Sequence, residues 1–256
     1  LKILIATDED PSDLDALLDA LNDRVDPNSD VTIIEGMVSD SLEPASTYEN
    51  VHSKVIIDAT KLVPADPRSG APLEGSPIEE SPAWRRGEED APGISELLLK
   101  EISDLEDVED CLLMRNSMLV VTVDIEGRPD PRTGMSWPDE DAAKAQREKI
   151  SQLRKSIWQL ENSENVRWLF ITDESVDLDA GDAMRTLLWQ LFCRFEVKRD
   201  LHYSDDGNRI CWDATAPIPS NDGPVPVRRW PAVCLHDPDV QKKVDEWYDQ
   251  EVRKWA

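Results

Sequence analysis

Residues 2–24 read KILIATDEDPSDLDALLDALNDR, and this stretch decides the fold. Lys2–Thr7 is a short, mostly apolar run, as expected of a β-strand. It stops at Asp8-Glu9-Asp10. Leu14, Leu17, Leu18 and Leu21 then fall at i, i+3, i+4 and i+7, one apolar stripe along a helix. Asp10, Ser12 and Asp13 ahead of the stripe suit a helix N-terminus. Arg24 and the Asp26-Pro27 step close the helix, because a residue before proline is pushed out of the helical region. Val31–Ile34 and Lys54–Asp58 read as the next strands.

The same pattern returns further along. Trp168–Thr172 is an apolar run ending in Asp173-Glu174. Met184, Leu187, Leu188 and Leu191 repeat the stripe at a constant offset of 170 residues. Arg194 and Asp200 keep that offset from Arg24 and Asp30. Asp213-Ala214-Thr215 ends a strand as Asp58-Ala59-Thr60 does. We read an internal duplication with insertions in the loops.

Between the copies, residues 64–93 have the Pro- and Gly-rich composition of a linker. Ser95 caps a predicted helix carrying Ile94, Leu97, Leu98 and Ile102. Met118–Val123 is a strand rich in β-branched residues. Residues 126–138 form a Pro/Gly-rich loop, and 139–160 a charged helix with Ile150, Leu153, Ile157 and Leu160 on one face. A terminal helix runs from about Pro238 to Trp255. Strands alternating with helices predict an α/β fold: a mainly parallel sheet with helices on both faces, in two related α/β units. The expected domains are a partial unit at 1–63, a linker at 64–93 and a more complete unit at 94–256.

Composition narrows function. The 256 residues carry 54 acidic against 28 basic side chains, a formal net charge of −26. That balance argues against nucleic acid and against an anionic membrane surface as partners. It fits either a well-solvated surface or adaptation to high salt. No apolar run reaches the roughly 18 residues that span a bilayer. The opening Leu1–Ile5 reads as a strand rather than a signal peptide, so a cytoplasmic protein is expected. The chain lacks an initiating Met and is read as a possible piece of a longer polypeptide. Cys111, Cys193, Cys211 and Cys234 form no CxxC pair, and His52, His202 and His236 have no zinc-like spacing. Reduced thiols are expected.

The strand-end acids admit two readings. Ligands bind at the C-terminal edge of open α/β sheets, so Asp8-Glu9-Asp10 and Asp173-Glu174 could be a metal or general-base cluster. Equally, they cap the helices that follow. Arg24 and Arg194 are expected to pair with Asp58 and Asp213. No GxGxxG, GxxxxGK[ST] or GxSxG occurs. Trp168, Trp189 and Trp212 are expected in the core, whereas Trp247 and Trp255 on the terminal helix are candidate anchors for a partner.

The ordered set resembles the C-terminal domain of the UbiD-type decarboxylases. The first copy carries it in Ile3–Thr7, Asp8-Glu9-Asp10, Arg24-Val25-Asp26-Pro27 and Asp58-Ala59-Thr60-Lys61. The second keeps Asp173-Glu174, Trp189, Arg194 and Asp213-Ala214-Thr215. It replaces the Asp-Pro step with Glu196-Val197 and the lysine with Ala216. It adds Asp237–Val240 and Val244–Trp247. The resemblance covers most of 1–62 and 94–250. It implies (de)carboxylation of aromatic or α,β-unsaturated acids by a prenylated FMN, with a divalent metal and potassium at its phosphate. The family's flavin site lies in a different, N-terminal region without a match here. The resemblance therefore implies the part that mediates oligomerisation and closes over a flavin-bearing domain or subunit. It transfers no catalytic, cofactor-binding or metal-binding residue to this chain. The implied partner is that flavin-bearing domain or subunit, in a homo- or hetero-oligomer. A stand-alone scaffold derived from the domain is the alternative.

Overall fold

The structure, a computed structural model, describes residues 2–38, 45, 46, 48, 50–61, 90, 92–126, 139–222, 225–228 and 237–248. Nearly all of the expected linker at 64–93, most of the loop at 126–138, and Trp255 lie outside them. The first unit holds β1 (Ile3–Ala6), α1 (Leu14–Arg24), the four-residue α2 (Pro27–Asp30), β2 (Val31–Val38) and β3 (Val51–Asp58). The second holds α3 (Glu96–Ser103), β4 (Asp110–Arg115), β5 (Met118–Val123), α4 (Glu140–Gln159), β6 (Trp168–Asp173), α5 (Ala183–Arg194), α6 (Val197–Asp200), β7 (Leu201–Tyr203) and β8 (Ile210–Asp213). Helix α7 (Pro238–Trp247) follows. Among the described residues no helix is long and apolar enough to cross a membrane.

The fold is α/β, but its two sheets are mixed rather than mainly parallel. The strand orders are β1-β3-β2 and β4-β5-β6-β8-β7. β1 pairs parallel with β3, and β5, β6 and β8 are mutually parallel. β2, β4 and β7 pair antiparallel with their neighbours. For β4–β5 and β7–β8 the reason is connection length. A parallel return needs a crossover of a dozen or more residues. The chain reverses at the β4–β5 hairpin through Asn116 and Ser117 alone.

Helices cover both faces of the five-stranded sheet. Leu119, Val121, Val123, Leu169 and Ile171 pack under α3 and α4, through Leu98, Ile102, Ile150, Leu153 and Ile157. Met118, Val120, Trp168, Ile210 and Trp212 face the opposite way, onto Leu187 and Leu191 of α5. The three-stranded sheet has a helix on one face only among the described residues. Its Ile3, Val55 and Ile57, with Leu18 and Leu21 of α1, join the core that holds Trp168, Phe195 and Trp212. The ring centroids of Trp212 and Phe195 lie 4.9 Å apart, and those of Trp212 and Trp168 6.4 Å. Trp189, expected in this core, is instead 68% exposed on α5.

Registers in the two sheets coincide. Ile3 faces Val55 and Trp168 faces Ile210; Val31 faces Ile57 and Leu201 faces Trp212. After each first helix the same turn forms: the Asp26 N–H donates to Asp30 at 2.9 Å, and the Glu196 N–H donates to Asp200 at 2.7 Å.

Contacts between the units are reciprocal. Lys2 of the first donates to the carbonyls of Phe192 and Phe195 at the end of α5, at 2.9 and 2.7 Å. Arg167, at the matching place before β6, donates to the Asn22 carbonyl near the end of α1. The last carbonyls of a helix lack intrahelical donors and sit at its negative end. A buried cation from the opposite unit satisfies them in both directions, the logic of an isologous contact written within one chain.

Candidate functional site

The acids sit where the sequence puts them, at the C-terminal tips of β1 and β6, and each set is occupied by an arginine. Arg24 reaches back from the end of α1 to Asp8 at 3.0 Å, to Glu9, and to the Ala59 carbonyl at 3.3 Å. Lys61 adds its Nζ at 3.2 Å from Asp8 and 3.5 Å from Glu9. The hydrogen bond from Arg24 holds the Glu9 carboxyl below its ordinary range. Asp10 and Asp13 are structural: Asp10 accepts from the Ser12 N–H and hydroxyl, and Asp13 caps α1 by accepting from the Ala16 N–H.

In the second unit Asp173 is fully buried. It accepts from Arg194 at 2.9 Å, from the Ala216 N–H at 2.7 Å, and from the Ser175 N–H at 3.0 Å and its hydroxyl. Burial alone would raise its pKa; Arg194 and these hydrogen bonds outweigh it and leave it below the ordinary value. The expected pairs Arg24–Asp58 and Arg194–Asp213 do not form. Asp58 turns back on its own chain to accept from the Thr60 N–H and hydroxyl, and Asp213 does the same with Thr215. Such Asx turns satisfy the carboxylate locally. The arginines instead touch the carbonyls one residue on, Ala59 and Ala214.

A cavity of about 150 Å³ lies between α4, α6, β7 and β8. Gln146 braces its floor, donating to Thr215 and the Ala216 carbonyl and accepting from the Ile218 N–H. Arg199 and Asp200 are paired at 2.6 Å on one side. Arg147 and Arg154 stand on the α4 side, with His202 and Asp213 opposite. Burial and the nearby Arg154 push His202 down to about 4, so its imidazole is neutral at pH 7. Burial and the neighbouring Asp200 push Asp213 up to about 7. The cavity combines cationic walls with a carboxyl that titrates near neutrality, chemistry suited to a small polar molecule. Sequence reading gives Asp200 as a repeat position, and Asp213 as a repeat position and expected partner of Arg194. Arg147, Arg154 and His202 are not singled out for this site by sequence, since α4, which carries the two arginines seven residues apart, and β7, which carries His202, meet only in the folded chain. A second cavity, of about 270 Å³, lies between the units and is lined by His52, Ser53, Glu196 and Lys198 among others.

Asp213 yields a pH prediction. Its folded pKa lies above the unfolded value, so between the two the folded state holds more protons. Stability from this group is present below about pH 4 and is lost as pH rises to about 7. Asp213→Asn should flatten that part of the melting-temperature profile by a few degrees. An unchanged slope between pH 4 and 7 would show that Asp213 does not titrate there.

The described residues do not fit a flavin or its metal ions. Both cavities fall below the roughly 300 Å³ at which cofactor pockets begin. The strand-tip carboxylates are engaged by Arg24, Lys61 and Arg194, and among the described residues no three ligating side chains converge on one point.

The architecture defines a class: an α/β protein of two units, each with an arginine-locked acidic strand tip. Its first unit is similar to a known family. Residues 1–59 match the family model of the 3-octaprenyl-4-hydroxybenzoate carboxy-lyase C-terminal domain, the UbiD type. The chain is 44% identical over 68 residues to a phenolic acid decarboxylase of Sedimentibacter hydroxybenzoicus, a stretch that is 26% of this chain and 14% of the relative. It is 33% identical over 82 residues to a phenolic acid decarboxylase of Streptomyces sp. (strain D7), covering 32% and 17%. The chain thus spans about one-sixth or less of the length of these curated relatives. Among solved structures it is similar to vanillic acid decarboxylase of Sedimentibacter hydroxybenzoicus in closed form, at 14% identity and a TM-score of 0.35, covering 60% of this chain and 31% of that one. It is also similar to an evolved dimeric UbiD-class enzyme from Pelotomaculum thermopropionicum in complex with prFMN, at 16% identity and a TM-score of 0.32, covering 57% and 27%. At these scores the structural likenesses carry no argument.

Proposed function

We propose that this chain is the non-flavin part, or a separate subunit, of a UbiD-like (de)carboxylase acting on aromatic or α,β-unsaturated acids. Its role is assembly and closure over a flavin-bearing domain or subunit. The observation that carries this reading is the match of residues 1–59 to the carboxy-lyase C-terminal domain. The occupied strand tips and small cavities favour a structural role within that enzyme. We also infer that residues 1–63 and 94–256 descend from one unit by duplication, with 64–93 as the link. Support comes from the shared registers and the repeated Asp30 and Asp200 turns. On this reading the reciprocal Lys2 and Arg167 contacts give one chain both halves of an assembly interface.

The test is flavin content. Produced alone in cells that make prenylated FMN, the chain should purify without flavin absorbance. Mixed with the flavin-bearing polypeptide of its natural assembly, it should form a stable complex and raise decarboxylase activity. One flavin per chain in the isolated protein would overturn the proposal. A flavin-free chain that forms no complex would favour the stand-alone scaffold.

A further inference from the structure

Helix α4 carries two cations that its surroundings do not neutralise. Lys144 lies 3.9 Å from Glu148 and Lys149 lies 3.3 Å from Asp107. Arg147 and Arg154 make no ion pair and no side-chain hydrogen bond among the described residues. This holds in a chain with 54 acidic against 28 basic side chains. Positions three and four residues away are the ones that meet on a helix surface. For these two arginines they are Ala143, Lys144, Ile150, Ser151, Ile157 and Trp158, none of them acidic. The pair stands two turns apart on one face of α4, and both side chains line the 150 Å³ cavity. Arg154 is held in place by its stacking over the Trp158 ring, 5.5 Å from the centroid.

The carboxylates of the cavity are committed elsewhere. Asp200 takes two nitrogens of Arg199, at 2.6 and 2.7 Å, and accepts the Glu196 N–H. Asp213 gives one oxygen to the Thr215 N–H and hydroxyl; its other oxygen has no hydrogen-bond partner among the described residues. Burial and Asp200 push its pKa up to about 7, so near neutrality it holds a proton about half the time and can donate it. The neutral His202 imidazole has one N–H to give. The polar wall is therefore rich in donors and short of acceptors. The remaining wall is apolar, with Ile150, Ile218, Val225 and Val227 all buried. A cavity of about this volume holds a benzene-sized molecule.

We propose that this cavity is a binding site for a small monocarboxylate with an apolar body, no larger than about benzoate. The carboxylate lies between Arg147 and Arg154 and supplies the negative charge that α4 lacks. The planar guanidinium fork suits a carboxylate better than a point charge does. His202 and the protonated Asp213 add donors, and the body packs on Ile150, Ile218, Val225 and Val227. A wholly polar oxyanion would leave that apolar wall unmatched, and a neutral apolar molecule would leave both arginines uncompensated. The site goes beyond the assembly role and stands on the cavity alone, whether or not the chain meets a flavin-bearing polypeptide.

The experiment titrates benzoate into the 256-residue chain, isotope-labelled on histidine, and follows it by NMR. Benzoate should saturate one site with a Kd below about 1 mM, and the His202 imidazole signals should move along the same curve. Acetate has the head without the body and benzyl alcohol the body without the head; each should bind at least about tenfold more weakly. Arg147→Gln should weaken benzoate at least about fivefold while melting like the parent, because Arg147 has no partner to lose. Arg154→Gln should weaken it at least about tenfold, and Arg154→Lys, which keeps the charge without the fork, by an intermediate factor. Lys198→Gln removes a cation from the second cavity and should leave binding unchanged. Absence of saturable binding would overturn the site, as would benzoate binding that leaves the His202 signals in place. Inorganic phosphate binding more tightly than benzoate would overturn the choice of ligand. Equal weakening by Lys198→Gln and Arg147→Gln would reduce the effect to overall charge and overturn the proposal as well.

Discussion

Asp173→Ala should cost the fold about 3–5 kcal/mol, and Asp8→Ala far less, although both remove a strand-tip aspartate from an arginine. The two sites share a chemistry and differ in solvent access. The Asp173 side chain is 0% exposed and its partner Arg194 14%, against 39% for Asp8. Deleting Asp173 leaves a guanidinium mostly out of water and takes the acceptor from the Ser175 and Ala216 N–H groups. Unmet buried donors and the loss of a buried ion-pair partner each add to the loss. Around Asp8, water replaces what is removed, and Glu9 still holds Arg24 and Lys61. Urea unfolding followed by tryptophan fluorescence measures both. The pH dependence separates charge from packing. Asp173 is held below its ordinary pKa, so its contribution is present above the unfolded value of about 4 and lost as pH falls through the folded one. The variant should therefore lose less stability on acidification than the parent. Equal losses for Asp173→Ala and Asp8→Ala would show that burial does not set the strength of these pairs.

How far the sequence could be read follows from where each signal resides. The stripes at Leu14–Leu21 and Met184–Leu191 lie within short windows. Their spacing is itself geometry, and both form helices at the expected positions. Ser95 was legible as a cap for the same reason, and it accepts from the Leu98 N–H at 3.1 Å. Strand β4 was missed because Asp110–Arg115 is an edge strand whose burial does not alternate, so no period of two marks it. The sheet direction is not legible because β2, β4 and β7 each pair antiparallel with the strand that follows, and an apolar run does not name its neighbour or its direction. Trp189 was placed inside because an aromatic residue beside Leu187, Leu188 and Leu191 has an apolar neighbourhood on either face of the helix. Only the partner surface decides which face is covered. The cavity at Arg154, His202 and Asp213 could not be read at all, since its walls meet only in three dimensions.

Arg167→Met should lose about 3–5 kcal/mol, and Lys2→Met a smaller amount, about 1–3 kcal/mol. Both cations are buried and both serve the end of a helix from the opposite unit. Arg167 does more. Besides the Asn22 carbonyl it binds the Ser117 hydroxyl through Nε at 3.1 Å and through a second nitrogen at 2.8 Å. Ser117 in turn donates to Asn22, so one guanidinium ties α1, the β4–β5 hairpin and β6 into a single network. Burial lowers its pKa to about 10, which still leaves it charged at pH 7. Methionine can fill much of the space of the aliphatic stem but supplies no donor, and the Asn22 carbonyl and Ser117 hydroxyl lose theirs. Among the described residues Lys2 donates to the Phe192 and Phe195 carbonyls and makes no hydrogen bond to the β4–β5 hairpin. The difference between the two losses therefore reflects the Ser117 contacts that Arg167 makes in addition. Thermal unfolding of each variant should remain one cooperative transition, because Ile3, Val55 and Ile57 share a core with Trp168 and Trp212. Two separated transitions in Arg167→Met would mean that the network, rather than the shared apolar core, couples the units.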